Sequence, residues 1–156
     1  MLGWFGVDDG ASIASMSTDR PANTIADLLA AARARLERLE PAAARDAVAS
    51  GAVIVDTRCA EAREASGVIP GSIHVPLSVL YWRLDPTSGH DDPSLSDPTR
   101  QVILVCADGY SSSLAAATLR DLGFARATDV VGGFNGWVRS GLPVEPLRDA
   151  RAPDVP

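Results

Sequence analysis

The sequence contains no lysine, so all 14 of its basic residues are arginine. That absence excludes a catalytic Schiff-base lysine and a phosphate-gripping P-loop lysine. Cysteine and histidine occur only twice each, too few for a structural zinc site. Two cysteines make no disulfide framework either; in a reducing compartment they are reactive or packed thiols. The arginines form no basic stripe, which argues against nucleic acid as a partner. No apolar run approaches the ~20 residues of a membrane span. The first nine residues, Met1 to Asp9, carry no basic flank and turn acidic after a short apolar stretch, so they do not read as a signal peptide. The expectation is a cytoplasmic protein that engages neither membrane nor nucleic acid.

What is present suits one globular domain. The chain has 156 residues, 46% hydrophobic and 22% charged, with a net charge of −6. Residues 1–23 lack periodicity and read as a disordered leader, residues 24–146 as the domain, and residues 147–156 as an extended tail. Thr24 to Asp27 has the pattern of a capping box. Ile25, Leu28, Leu29, Ala32, Leu36 and Leu39 then recur at helical spacing, predicting a helix over 24–39, with Arg33, Arg35, Glu37 and Arg38 between them. Pro41 opens a second helix, Ala42 to Ser50, which Gly51 ends.

Ala52 to Asp56 and Val102 to Cys106 are short, continuous apolar runs. They read as strands buried on both faces, as in a parallel sheet covered by helices. Ser72 to Val75 and Ala127 to Val131 are weaker strand candidates. Helical stretches lie between them at about 77–84, 112–122 and 134–140, and Gly123 ends the middle one. Strands alternating with helices mean an α/β fold. Residues 85–100, rich in proline and aspartate, read as a solvated loop.

The chemistry concentrates at Cys106-Ala107-Asp108-Gly109-Tyr110-Ser111-Ser112. A cysteine ends a buried strand, a short loop with a central glycine follows, and a helix starts at serines. Ligands of open α/β sheets bind at the carboxyl ends of strands. The first amides of a helix have no internal partners, and a tight loop lets several N–H groups converge into an anion nest. A sulfur placed there is stabilised as thiolate, below the ~8.5 of a free cysteine. Gly109 permits a left-handed turn. Ser111 and Ser112 can cap the helix and donate hydroxyl hydrogen bonds to an anion.

The chain from about Glu40 to Val144 resembles a single-domain rhodanese. The loop Cys106 to Ser112 matches that family's Cys-x-x-Gly-x-Ser-Ser type. Val55 to Arg58, followed by Gly67 to Ile73, is similar to its first signature. Gly132 to Trp137, then Gly141 to Val144, is similar to its last. The resemblance implies a five-stranded parallel sheet with helices on both faces and no metal or organic cofactor. It implies a sulfurtransferase in which Cys106 is the nucleophile. Cys106 takes a sulfane sulfur from thiosulfate or a small persulfide and passes it to a thiol or cyanide. Ala107, Asp108, Gly109, Tyr110, Ser111 and Ser112 would hold the substrate, together with Arg58, whose more natural role is to brace loops beside Asp56. A non-catalytic module that binds a partner or senses redox state is the rival. The segment Tyr81 to Pro86 resembles a bacterial subgroup found beside thiol dioxygenases, which implies a protein partner in thiol oxidation.

Three further residues are weighed on their own. Asp108, the one charge in residues 107–112, disfavours a dianionic donor such as thiosulfate; equally, it faces solvent. Phosphatases of this fold need an arginine six positions after the cysteine, where this chain has Ser112. Cys59 either resolves an oxidised Cys106 as a disulfide or is a chance thiol, the latter being favoured. His74 and His90 have no evident partner, and Trp82 and Trp137 read as packing residues.

Overall fold

The computed structural model describes residues 23–148. The expected leader and tail lie almost wholly outside the described residues. One eleven-residue helix and four short parallel strands carry the site. In chain order the elements are α1 (Ile25–Ala34), α2 (Pro41–Ala49), β1 (Val53–Asp56), α3 (Ala60–Ser66), β2 (Ile73–His74), α4 (Leu80–Leu84), β3 (Val102–Val105), α5 (Ser111–Asp121), β4 (Thr128–Asp129) and α6 (Gly133–Arg139). A single 3₁₀ turn, Leu77–Val79, leads into α4.

The strands pair in the order β2-β1-β3-β4, all parallel. Alternation along β1 and β3 splits the core in two. Val53, Val55, Val102 and Leu104 face one side, with Leu80 and Leu84 of α4 and Ala115, Ala116 and Leu119 of α5. Ile54, Ile103 and Val105 face the other, with Ala44 of α2 and Phe134 and Trp137 of α6. Helices therefore cover both faces, as the continuous apolar strands require.

The sheet has four strands, not five. The candidate fifth is Leu39, which makes one parallel bridge to Val130 beside β4. Its N–H donates to Asp129 O and its carbonyl accepts from Val131 N. Pro41, two residues on, lacks an N–H and starts α2, so the pairing stops at one residue. The same pairing cuts the first helix short. Thr24 caps it, with Asp27 returning the bond, but α1 ends at Ala34 instead of 39. Residues 36–39 run extended toward β4, and Thr128 Oγ1 donates to Glu37 O at 2.8 Å. The apolar stripe of α1 is thus only partly covered: it packs on α5, Ala32 is buried, and Ile25 is 69% exposed.

Helix α3 has no counterpart in the sequence reading. Residues 85–100, expected as a solvated loop, are ordered by three aspartates that each accept a hydrogen bond from the amide two residues on: Asp85 from Thr87, Asp92 from Ser94, Asp97 from Thr99. Leu95 plugs the loop into the core. Trp137 is buried as expected, its indole N–H on Pro143 O. Trp82 is not a packing residue; it is 54% exposed beside Tyr81.

Candidate active site

Cys106 directly follows β3, all four residues of which are buried. Gly109 turns the chain with a positive φ of 80°. Its N–H thereby donates to Cys106 Sγ at 3.1 Å. The Ser112 hydroxyl lies 3.2 Å from the same sulfur, which belongs to a residue only 7% exposed. Helix α6 clamps the loop from the other side: Phe134 N–H donates to Cys106 O at 2.8 Å and Asn135 N–H to Ala107 O at 3.0 Å. The paired glycines before α6 make this approach possible. A Cβ on Gly133 would lie 2.5 Å from Cys106 O and 2.7 Å from Gly109 N. Its φ of 59° also suits glycine alone.

Burial pushes the Cys106 thiol up. The hydroxyls of Ser111 and Ser112 and the amides of Ser112 and Gly109 outweigh that, and the thiol falls below its ordinary value. Four donors around one sulfur are the expected means of holding a thiolate. Of the loop amides, those of Gly109 and Ser112 act on the sulfur. Ala107, Asp108 and Tyr110 are exposed. Tyr110 lies under the Arg33 guanidinium, 5.4 Å from its ring centre. The Asp108 carboxylate is held by Asn135 Nδ2 at 2.7 Å. The serines do not cap the helix: Tyr110 occupies the cap position and makes no side-chain cap bond. The serines are the first three residues of the helix, past the cap, and the Ser112 and Ser113 hydroxyls bond Asp129.

The structure adds residues that the sequence reading passed over. Asp129, at the end of β4, is completely buried. It pairs with Arg38, Nε to Oδ1 at 2.8 Å and Nη2 to Oδ2 at 3.1 Å. Oδ2 also accepts from Ser112 Oγ and Ser113 Oγ, both at 2.8 Å. Arg33 reaches Gly109 O at 2.7 Å and Ser113 Oγ at 3.2 Å, and Arg38 reaches Gly109 O at 3.1 Å. The back of the loop is therefore wired to Arg33 of α1 and to Arg38 in the segment that follows it. One signal was available: an acid inside a buried strand needs a partner.

Arg58 stands apart from this group. Its guanidinium bonds Asp56 at 3.0 and 2.8 Å and Gly67 O at 2.8 Å, and stacks 3.6 Å over the Phe134 ring. Arg63 adds a second contact to Asp56 at 3.2 Å. Arg58 thus braces the first signature, its hydrogen bonds going to Asp56 and Gly67 and not to the cysteine loop. Both cysteines are free; Cys59 is exposed at the start of α3. His74 Nε2 lies 2.8 Å from Arg58 O, so that histidine is satisfied by the backbone. Among the described residues no cluster of His, Cys, Asp or Glu could hold a metal ion. None of the described helices is long and apolar enough to cross a membrane.

Comparison with known proteins agrees with this architecture. Thiosulfate sulfurtransferase GlpE of Actinobacillus succinogenes is 36% identical over 94 residues, 60% of this chain and 76% of that protein. The GlpE of Ectopseudomonas mendocina is 36% identical over 109 residues, 70% of this chain and 90% of that one. Among solved structures, a Rhodopseudomonas palustris protein of unknown function, described there as a possible tyrosine phosphatase, superposes with a TM-score of 0.74. It is 32% identical, and the match covers 81% of this chain and 97% of that one. The model of the rhodanese-like domain matches residues 40–140, a span that holds the sheet, the cysteine loop and α6, and the chain belongs to that family.

Proposed function

We propose that the protein is a rhodanese-type sulfurtransferase with Cys106 as nucleophile and sulfur carrier. The observation that carries this reading is the Cys106 sulfur, 3.1 Å from Gly109 N and 3.2 Å from Ser112 Oγ at the carboxyl end of a buried strand. Relatives 36% identical are named thiosulfate sulfurtransferases, which supports it.

The reaction is two displacements in ping-pong order. The Cys106 thiolate attacks the outer sulfur of the donor. A bond forms between Cys106 Sγ and that sulfur as the donor's S–S bond breaks, and the electron pair leaves with sulfite or with the donor's thiolate. An acceptor thiolate, or cyanide, then attacks the terminal sulfur of the Cys106 persulfide. Cys106 departs as thiolate, and the acceptor carries the sulfur away as persulfide or thiocyanate. The Gly109 and Ser112 amides and the Ser111 and Ser112 hydroxyls hold the charge on sulfur before and after each displacement.

Charge around the loop favours a persulfide over thiosulfate as donor. Residues 107–112 contain no cation. Arg33 and Arg38 stand behind Gly109, bonded to Gly109 O, Ser113 and Asp129. Asp108 is the exposed charge on the loop that a dianion meets, whereas Asp129 is buried and paired with Arg38. Phosphate chemistry is disfavoured, because the position where phosphatases of this fold carry a gripping arginine is Ser112.

Intact-mass analysis tests the reading. Wild type is expected to gain the mass of one sulfur atom, more readily from a persulfide than from thiosulfate, and to lose it to added thiol over many cycles. The Cys106→Ser variant should gain nothing. Sulfur loading in Cys106→Ser, or none in wild type, overturns the assignment. One-time modification without turnover would point instead to a redox-sensing module, and equal efficiency with thiosulfate would sink the donor preference.

A further inference from the structure

Ser112 is completely buried. Its hydroxyl lies between two groups that both claim a proton: Cys106 Sγ at 3.2 Å and Asp129 Oδ2 at 2.8 Å. A hydroxyl has one hydrogen to give. While Cys106 is a thiol, the geometry is satisfied in one direction: S–H donates to Oγ, and Oγ–H donates to Oδ2. Once the sulfur is ionised it has nothing to donate, and the same hydroxyl, 3.2 Å away, becomes a donor for it beside that of Ser111. The hydrogen can reach the sulfur only by leaving Asp129.

Asp129 is built to release it. Without Ser112, Oδ1 keeps Arg38 Nε, and Oδ2 keeps Arg38 Nη2 and the Ser113 hydroxyl. Ser113 can commit its hydrogen to Asp129, because Gly109 O is already served by Arg33 and Arg38. Losing one of four donors leaves the buried carboxylate still paired.

We propose that Asp129 is a positioning residue for sulfur transfer: it holds the Ser112 hydroxyl in place and surrenders its hydrogen to Cys106 Sγ whenever that sulfur becomes an anion. The hydroxyl turns twice per cycle. It swings to sulfur as the thiolate forms, and again as Cys106 leaves its persulfide when the acceptor thiolate takes the terminal sulfur. No proton is lost to Asp129 at any step; the thiol proton leaves to solvent or to the departing donor thiolate. The charge on Asp129 competes for the hydrogen, so it holds the thiol's affinity for its proton above what Ser112 alone would set. The other groups facing the loop are Arg33 and Arg38 behind Gly109, Tyr110 beneath Arg33, and Asp108 held by Asn135.

This rests on Cys106 being the reactive thiol, but not on turnover. The test is therefore the pH dependence of Cys106 alkylation in a Cys59→Ser background. In Asp129→Asn the amide faces Ser112 as a donor, which leaves the hydroxyl permanently free for sulfur. The alkylation pKa should fall by about one unit, a roughly tenfold rise in thiolate fraction on the acid side. In Ser112→Ala it should rise, and adding Asp129→Asn to Ser112→Ala should recover little of that rise. A role confined to loop support predicts an unchanged or raised value in Asp129→Asn, or the same shift with and without Ser112; either result overturns the proposal. Should Asp129→Asn fail to fold, wild type decides. The infrared difference spectrum between thiolate and thiol, recorded with ¹³C-labelled aspartate, should show a carboxylate band that vanishes in Ser112→Ala. No such band overturns the proposal. Alkylation that follows this pattern without sulfur loading would defeat the transferase reading and leave the Asp129 assignment standing.

Discussion

Two buried carboxylates end strands of the same sheet, and they are furnished differently. Asp56, at the end of β1, is held by Arg58 and Arg63, and the Arg58 amide also donates to it. Asp129, at the end of β4, has one guanidinium and two serine hydroxyls. The donors on Asp56 are rigid N–H groups that point one way. Those on Asp129 include rotors that can turn to another acceptor. A carboxylate surrounded by fixed donors can only brace; one served by hydroxyls can share its donors with a reacting atom. The Asp56 cluster holds the first signature loop, and the Asp129 cluster backs the cysteine loop.

The largest expected effect comes from breaking the fixed cluster. Asp56→Ala leaves two buried guanidiniums without their counter-charge, which costs about 3–5 kcal/mol of stability. Urea denaturation should show a midpoint shift of that size, with alkylation of Cys106 unchanged in the fraction that stays folded. A loss below ~1 kcal/mol would mean that Asp56 is no more structural than a surface acid.

Next is the joint between the clusters. Phe134 of α6 stacks on Arg58, while Gly133, one residue earlier, abuts Cys106 O and Gly109 N. Gly133→Ala adds a methyl group where backbone atoms leave no room and at a positive φ. It should cost about 2–4 kcal/mol and slow Cys106 alkylation as well, because the loop must move. Normal alkylation in a folded Gly133→Ala protein would show that loop geometry does not depend on this contact.

The smallest effect is the linkage of Cys106 ionisation to stability. The folded thiol sits below its ordinary value. The unfolded state therefore holds the proton to higher pH, so ionisation adds stability above the folded pKa, and all of it is present once pH exceeds the unfolded value. Wild type should gain stability over Cys106→Ser as pH rises through that window and lose the advantage as pH falls back below the folded pKa. Paired denaturation curves on either side of the window check this. The opposite slope would mean that burial, not the surrounding donors, controls the sulfur.

The cysteine loop was legible because its chemistry is local. Cys106, Gly109 and Ser112 lie within one turn and the start of one helix, so residue types and spacing carry the information. The buried strands were legible for the same reason. Arg38 and Asp129 are 91 positions apart, and Arg33 and Gly109 are 76 apart. In the sequence, Arg33 and Arg38 look like the solvated side of an amphipathic helix. Arg38 turns inward because Leu39 joins the sheet edge beside β4, and Arg33 because α1 packs on α5. Asp129 within a strand candidate was a visible anomaly, but its partners were not.

Periodicity and spacing by themselves carried an α/β domain, a candidate reactive cysteine at Cys106 and the absence of any lysine chemistry, and the loop and its two flanking signatures carried the family resemblance. Those properties depend on hydrophobic periodicity and on groups a few bonds apart. Only the tertiary structure decided which charges stand behind the loop, that the sheet stops at four strands, and that Ser112 is shared between a sulfur and a buried acid. Such contacts join distant segments, and no local preference of the chain encodes their distance or direction.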